Sequence, residues 1–74
     1  MSTAPNIRVQ FGLRMKELRD ERGWSQRRLS KETGLSHSYI GDCETGRRNV
    51  SLETIKKIAS GFGISVGEFM KDID

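Results

Sequence analysis

The feature that most constrains this chain is its punctuation. Four times, a glycine suited to end a helix is followed within five residues by a serine suited to begin one. The pairs are Gly23 and Ser25, Gly34 and Ser36, Gly46 and Ser51, and Gly63 and Ser65. Glycine just past a helix takes the left-handed conformation without a Cβ penalty. A serine at the N-cap accepts a hydrogen bond from an otherwise unpaired helix amide. Between these marks apolar residues recur at helical spacing, and strand alternation is absent.

The pattern predicts five short helices. Helix one runs from about Asn6 to Arg22, with Ile7, Phe11, Met15 and Leu18 as one stripe. Helix two follows Ser25, carries Leu29 and ends at Gly34. Helix three follows Ser36, turns Ile40 and Cys43 inward, and ends before Gly46. Helix four follows Ser51, with a stripe of Leu52, Ile55, Ile58, Ala59 and Phe62. Ser65 and Glu68 make a capping box for helix five, whose face carries Val66, Phe69, Met70 and Ile73. Gly12, Gly41, Gly61 and Gly67 fall inside these helices, each costing ~1 kcal/mol relative to alanine. The expectation is a compact all-α, five-helix single domain over residues 1–74, frayed over residues 1–5.

At 74 residues the chain has a small core, and domains of this size usually add disulfides, a metal or a partner subunit. Cys43 is the only cysteine and His37 the only histidine, which excludes a disulfide within the chain and argues against a metal site. Tight packing or oligomerisation remains. The formal charge of +3 favours a polyanionic partner. There is no apolar run of the ~18 residues a membrane span needs. Met1 to Asn6 carries no signal-peptide core. With a single cysteine, the expectation is a cytoplasmic protein in a reducing compartment. One histidine, a core-position cysteine and no glycine-rich phosphate loop make a poor catalytic inventory. The reading is therefore no enzyme, no cofactor and no evident small-molecule ligand.

Helices two and three are too short to be stable alone. Gly34-Leu35-Ser36 packs a stop, an apolar anchor and a cap into three residues, the sequence form of a helix-turn-helix. In that motif the start of the second helix meets base edges in the major groove of DNA. With Ile40 and Cys43 inward, Ser38, Gly41, Asp42 and Thr45 face away from the core, and His37 and Tyr39 lie on the flanks. Gln26 opens helix two, with Arg27, Arg28 and Lys31 beside it. Arg47, Arg48 and Asn49 follow helix three, where a loop can meet the DNA backbone. Taken alone, these charges also suit a solvated helix face, and Tyr39 also suits packing against helix two.

The stretch Leu18 to Ile64 resembles the lambda-Cro/C1 repressor, or Xre, family of helix-turn-helix domains. The matching features are LRxERGxSQ, a leucine, TGLS, YI, ExG and a closing IxxIA. The resemblance implies a lambda-repressor-like fold and a transcriptional regulator that binds double-stranded DNA. It implies that Gln26 contacts phosphate and braces the reading helix, and that His37, Ser38 and Tyr39 meet bases or the adjoining backbone. It implies phosphate contacts from Asn49 and Ser51, to which Arg27 and Arg48 are added by position. It also implies an ion pair between Arg19 and Glu44. The loop RNVSL, with the small size, is similar to restriction–modification controller proteins. His37 departs from them, since they often carry arginine near the start of helix three. Phage-type repressors and antitoxin-like regulators remain open as alternatives, as does a helical protein-interaction module. The polar, basic face of helices two and three favours DNA over the last of these.

Val66, Phe69, Met70 and Ile73, within a dimerisation helix at residues 65–74, leave two readings. They complete the monomer core, or they form a self-complementary patch for a homodimer. A homodimer would place two reading helices one DNA turn apart on a near-palindromic operator.

Overall fold

Five side-chain caps set where the helices begin. In the computed structural model, which describes residues 6–73, Asn6 Oδ1 accepts from the Val9 amide at 3.1 Å and opens α1, Ile7–Glu21. Ser25 caps α2, Gln26–Thr33, and Ser36 caps α3, His37–Glu44. Ser51 caps α4, Leu52–Phe62, and Ser65 caps α5, Val66–Met70. Each serine Oγ accepts from the amide three residues on, at 3.0–3.1 Å. The helices match the sequence reading closely except α5, which stops after five residues. Ile73 follows in a turn closed by its amide on the Met70 carbonyl. The frayed start expected over residues 1–5 lies outside the described residues, as does Asp74.

The buried core draws on every helix: Phe11, Met15 and Leu18 from α1, Leu29 from α2, and Ile40 and Cys43 from α3. Ile58, Ala59 and Phe62 come from α4, and Phe69 from α5. A chain of rings runs through it. Phe69 meets Phe11 at 4.9 Å and Phe62 at 6.2 Å, and Phe62 stacks on Trp24 at 5.7 Å. Such pairs add to the gain from burying their area.

Three apolar expectations are corrected. Ile7 is 55% exposed and Leu52 is 83% exposed. Each sits in the first turn of its helix, where its stripe runs out to the edge of the domain. Phe69 is 0% exposed. It fills the monomer core and has no surface to offer a dimer, because a domain this small needs its large side chains inside.

Two arginines tie distant helices together through backbone carbonyls. Arg14 donates from α1 to the carbonyls of Phe69 (2.8 Å) and Glu68 (3.0 Å), holding the short α5 in place. Arg22 donates to the carbonyls of Leu18 and Phe62, both at 3.1 Å, joining the ends of α1 and α4. These carbonyls lie near helix C-termini, where cations are favoured.

Gly12 marks the closest approach of α1 to α3. A Cβ there would stand 2.6 Å from the Glu44 carbonyl oxygen and would also collide with that of Cys43. Both obstacles are backbone, so the helices themselves would have to part. At Gly67 an added Cβ would meet only Ser65 Oγ, at 3.9 Å. Opposite outcomes are therefore expected in chemical denaturation. Gly12→Ala should destabilise by ~2–3 kcal/mol through overpacking, whereas Gly67→Ala should be neutral or stabilise by up to ~1 kcal/mol.

Candidate nucleic-acid interface

The turn between α2 and α3 is fixed from within. Gly34 ends α2 with φ 77°, and Leu35 packs against the core. The Ser30 hydroxyl donates to the Leu35 carbonyl, and the Leu35 amide donates to Thr33 Oγ1 at 3.2 Å. Ile40 and Cys43 anchor the inner side of α3, so its other side must face outward. Ser36, His37 and Ser38 are exposed, and Gly41 and Asp42 are partly so.

A polar network holds α3 at its far end. Arg19 donates to both carboxylate oxygens of Glu44, from Nε at 2.8 Å and from Nη2 at 3.0 Å. Its third group, Nη1, donates to the Trp24 carbonyl at 2.8 Å. Gln26 Nε2 donates to Glu44 Oε1 at 3.0 Å. The two charged side chains are only 12% and 5% exposed. The hydrogen bond to Glu44 raises the Arg19 pKa above its ordinary value, against the opposing effect of burial. One carboxylate thus joins α1, the loop at Trp24, α2 and α3. Gln26 is half-buried and has one amide hydrogen committed to this network.

The remaining candidates divide by whether they already have a partner. His37, Ser38, Arg27, Asn49 and Ser51 are exposed. Ser51 serves as the α4 cap and also donates to Thr54 Oγ1. Arg28 pairs with Glu32 at 2.7 Å and lies 4.8 Å from the Trp24 ring. Arg48 lies 3.2 Å from Asp42 and 5.0 Å from the centre of the Tyr39 ring. Tyr39 itself is half-buried against the core. The hold of Asp42 on Arg47 and Arg48 was not read from the sequence. An acidic residue five and six positions before two arginines was the only available signal.

On α5, Val66 is exposed, while Met70 and Ile73 are half-buried against the core. Cys43 is 2% exposed, and burial pushes its thiol pKa up to about 11 despite the opposing influence of Tyr39 and Arg48. Among the described residues there is no group of three or more acidic, cysteine or histidine side chains placed to hold a metal. No helix among them is long and apolar enough to cross a membrane.

A compact all-helical domain with an exposed, polar second helix after a tight turn defines a helix-turn-helix protein. The chain belongs to the helix-turn-helix family, whose model matches residues 15–69. It is 37% identical over 70 residues to the control protein C.MunI of Mycoplasma sp, covering 93% of this chain and 95% of that one. It is 42% identical over 60 residues to the control protein C.BamHI of Bacillus amyloliquefaciens, covering 80% and 74% respectively. Among solved structures it is similar to the restriction–modification controller protein C.AhdI from Aeromonas hydrophila. That match has a TM-score of 0.80 and 45% identity, and covers 84% of this chain and 94% of that one.

Two measurements check this description. Arg19→Ala and Glu44→Ala should each cost ~3 kcal/mol, since each leaves a buried partner unpaired. A double-mutant cycle should then return a coupling of ~1–3 kcal/mol, and additive losses would show that the two act separately. A thiol with a pKa near 11 stays protonated at pH 8. Iodoacetamide at that pH should label native protein ~100-fold more slowly than unfolded chain, because only the thiolate reacts.

Proposed function

We propose that this chain is a sequence-specific transcriptional regulator that binds double-stranded DNA as a homodimer, in the manner of restriction–modification controller proteins. The observation that carries the reading is the exposed start of α3, with His37 and Ser38 uncovered while Ile40 and Cys43 lock the other side into the core. The near-full-length match to C.MunI and C.AhdI supports the controller assignment within the family.

The net charge of +3 draws the protein to DNA. Helix α3 then enters the major groove, where His37, Ser38 and Tyr39 read base edges. Gln26, Arg27, Arg48, Asn49 and Ser51 set the register on phosphates. Two copies meet through Val66, with Met70 and Ile73 at its margin. This places the reading helices ~34 Å apart, one turn of duplex. Binding and regulation require no chemistry of the chain itself. The buried, protonated Cys43 supports a non-enzymatic reading, and action on DNA places the protein in the cytoplasm.

Selection of bound sequences from a random duplex pool tests the proposal. It should return inverted half-sites centred ~10 base pairs apart. Ser38→Ala and His37→Ala should each cost ~1–3 kcal/mol on that operator and change the preferred bases, whereas Arg27→Ala should weaken all sequences alike. A pool without enrichment, or sedimentation as a monomer on the selected duplex, would overturn the reading.

A further inference from the structure

Asp42 stands one helical turn after Ser38, on the side of α3 turned away from the core. Its carboxylate reaches Arg48 at 3.2 Å and Arg47 at 3.9 Å. The backbone reinforces this arrangement. The Arg47 amide donates to the Asp42 carbonyl at 2.9 Å, and Thr45 Oγ1 donates to the same oxygen at 3.2 Å, folding the loop back over the helix end. Arg48 then lies over the Tyr39 ring at 5.0 Å. A cation assigned to phosphate is thus held by an anion of its own chain, and it covers a ring assigned to bases. Arg27 and Lys31 are exposed without an acidic partner among the described residues. On α2 Arg28 is also paired, with Glu32 at 2.7 Å, but among the described residues one carboxylate holds two arginines of this face only at the end of α3.

Resting on the DNA-binding reading above, we infer that Asp42 is a specificity-determining residue. Its carboxylate competes with phosphate for Arg47 and Arg48 and so weakens binding to DNA of any sequence. Binding to random duplex rests almost wholly on phosphates neutralised by cations. On an operator, base contacts seat α3 deeply enough for phosphate to displace the carboxylate, whereas the looser complex on random duplex leaves both arginines on Asp42, so random sequence is penalised more. The pairs are solvent-accessible, with Arg47 and Arg48 side chains 75% and 49% exposed, and such pairs exchange partners at small cost. When Arg48 moves to a phosphate, the Tyr39 ring is uncovered to the groove.

The test is Asp42→Asn, which removes the charge and keeps the size. Binding of the full chain to a random duplex and to the selected operator is measured over a range of salt concentrations. Random-duplex affinity should rise about tenfold and operator affinity about twofold, and the salt slope on random duplex should steepen by ~0.9 for each cation released. In an Arg47→Ala, Arg48→Ala background the same substitution should gain no more than about twofold, because nothing remains for it to release. Unchanged random affinity and slope would overturn the inference while leaving the regulator reading intact. A full tenfold gain in the arginine-free background would overturn it too, reducing Asp42 to general repulsion. Loss of operator affinity alone would assign Asp42 to a base amino group instead. Wild-type protein that binds no duplex would overturn the regulator reading, and this inference with it.

Discussion

The orientation of α3 depends on one carboxylate. An eight-residue helix has little stability of its own, so its position must come from what it packs against. Ile40 and Cys43 fix the inner side by burial, but burial alone permits sliding and rocking. Glu44 removes that freedom at the C-terminal end by accepting from Arg19 and Gln26 together. A largely buried ion pair gains little net stability, because desolvation offsets most of the attraction. Its effect here is geometric. The planar guanidinium satisfies both carboxylate oxygens and a loop carbonyl at once, which few other arrangements of these elements would allow.

Gly12 complements that pair sterically. The pair sets the direction of α3 relative to α1, and the missing Cβ allows the two backbones to approach closely enough for it to form. A ~1 kcal/mol loss of helix propensity at Gly12 is small beside the displacement of a whole helix. The same economy of size explains α5. With ten hydrophobic residues buried among those described, Phe69 is worth more between Phe11 and Phe62 than on a dimer face. Arg14 keeps the five-residue helix docked through its last carbonyls. A two-fold contact on this helix would have to be built from what α5 leaves outside, chiefly Val66.

The sequence was most informative where the physics is local. Serine caps and stopping glycines act within three or four residues, so they placed the starts of α2 to α5 correctly. Periodicity identified the inward faces of α1 and α4, yet it misassigned Ile7 and Leu52. A stripe states which side is apolar, not how far the neighbouring element extends. Phe69 was left between core and dimer patch for a related reason, because a face cannot be divided between core and partner without knowing the core volume. Arg19 and Glu44 were paired through the family resemblance, since nothing in their spacing joins them. Arg14 and Arg22 were invisible as tethers, because their acceptors are backbone carbonyls up to 55 residues away and every residue type supplies one.

Charge counting misleads in the same way at the proposed DNA face. The sequence places Arg27, Arg28, Lys31, Arg47 and Arg48 around α2 and α3 and suggests five equivalent cations. The structure separates them. Arg28 is shared between Glu32 and the Trp24 ring, and Arg47 and Arg48 lean on Asp42, whereas Arg27 and Lys31 face solvent. The Asp42 carboxylate offsets the charge of only one of the two arginines that share it, so this cluster stays positive but weaker than two free arginines. Among the cations of this face, Arg27 and Lys31 contribute their full charge to the long-range attraction to DNA. The paired arginines exert their full effect at contact, when a phosphate is close enough to displace a carboxylate. Approach and commitment therefore draw on these side chains unequally, a distinction that net charge alone cannot express.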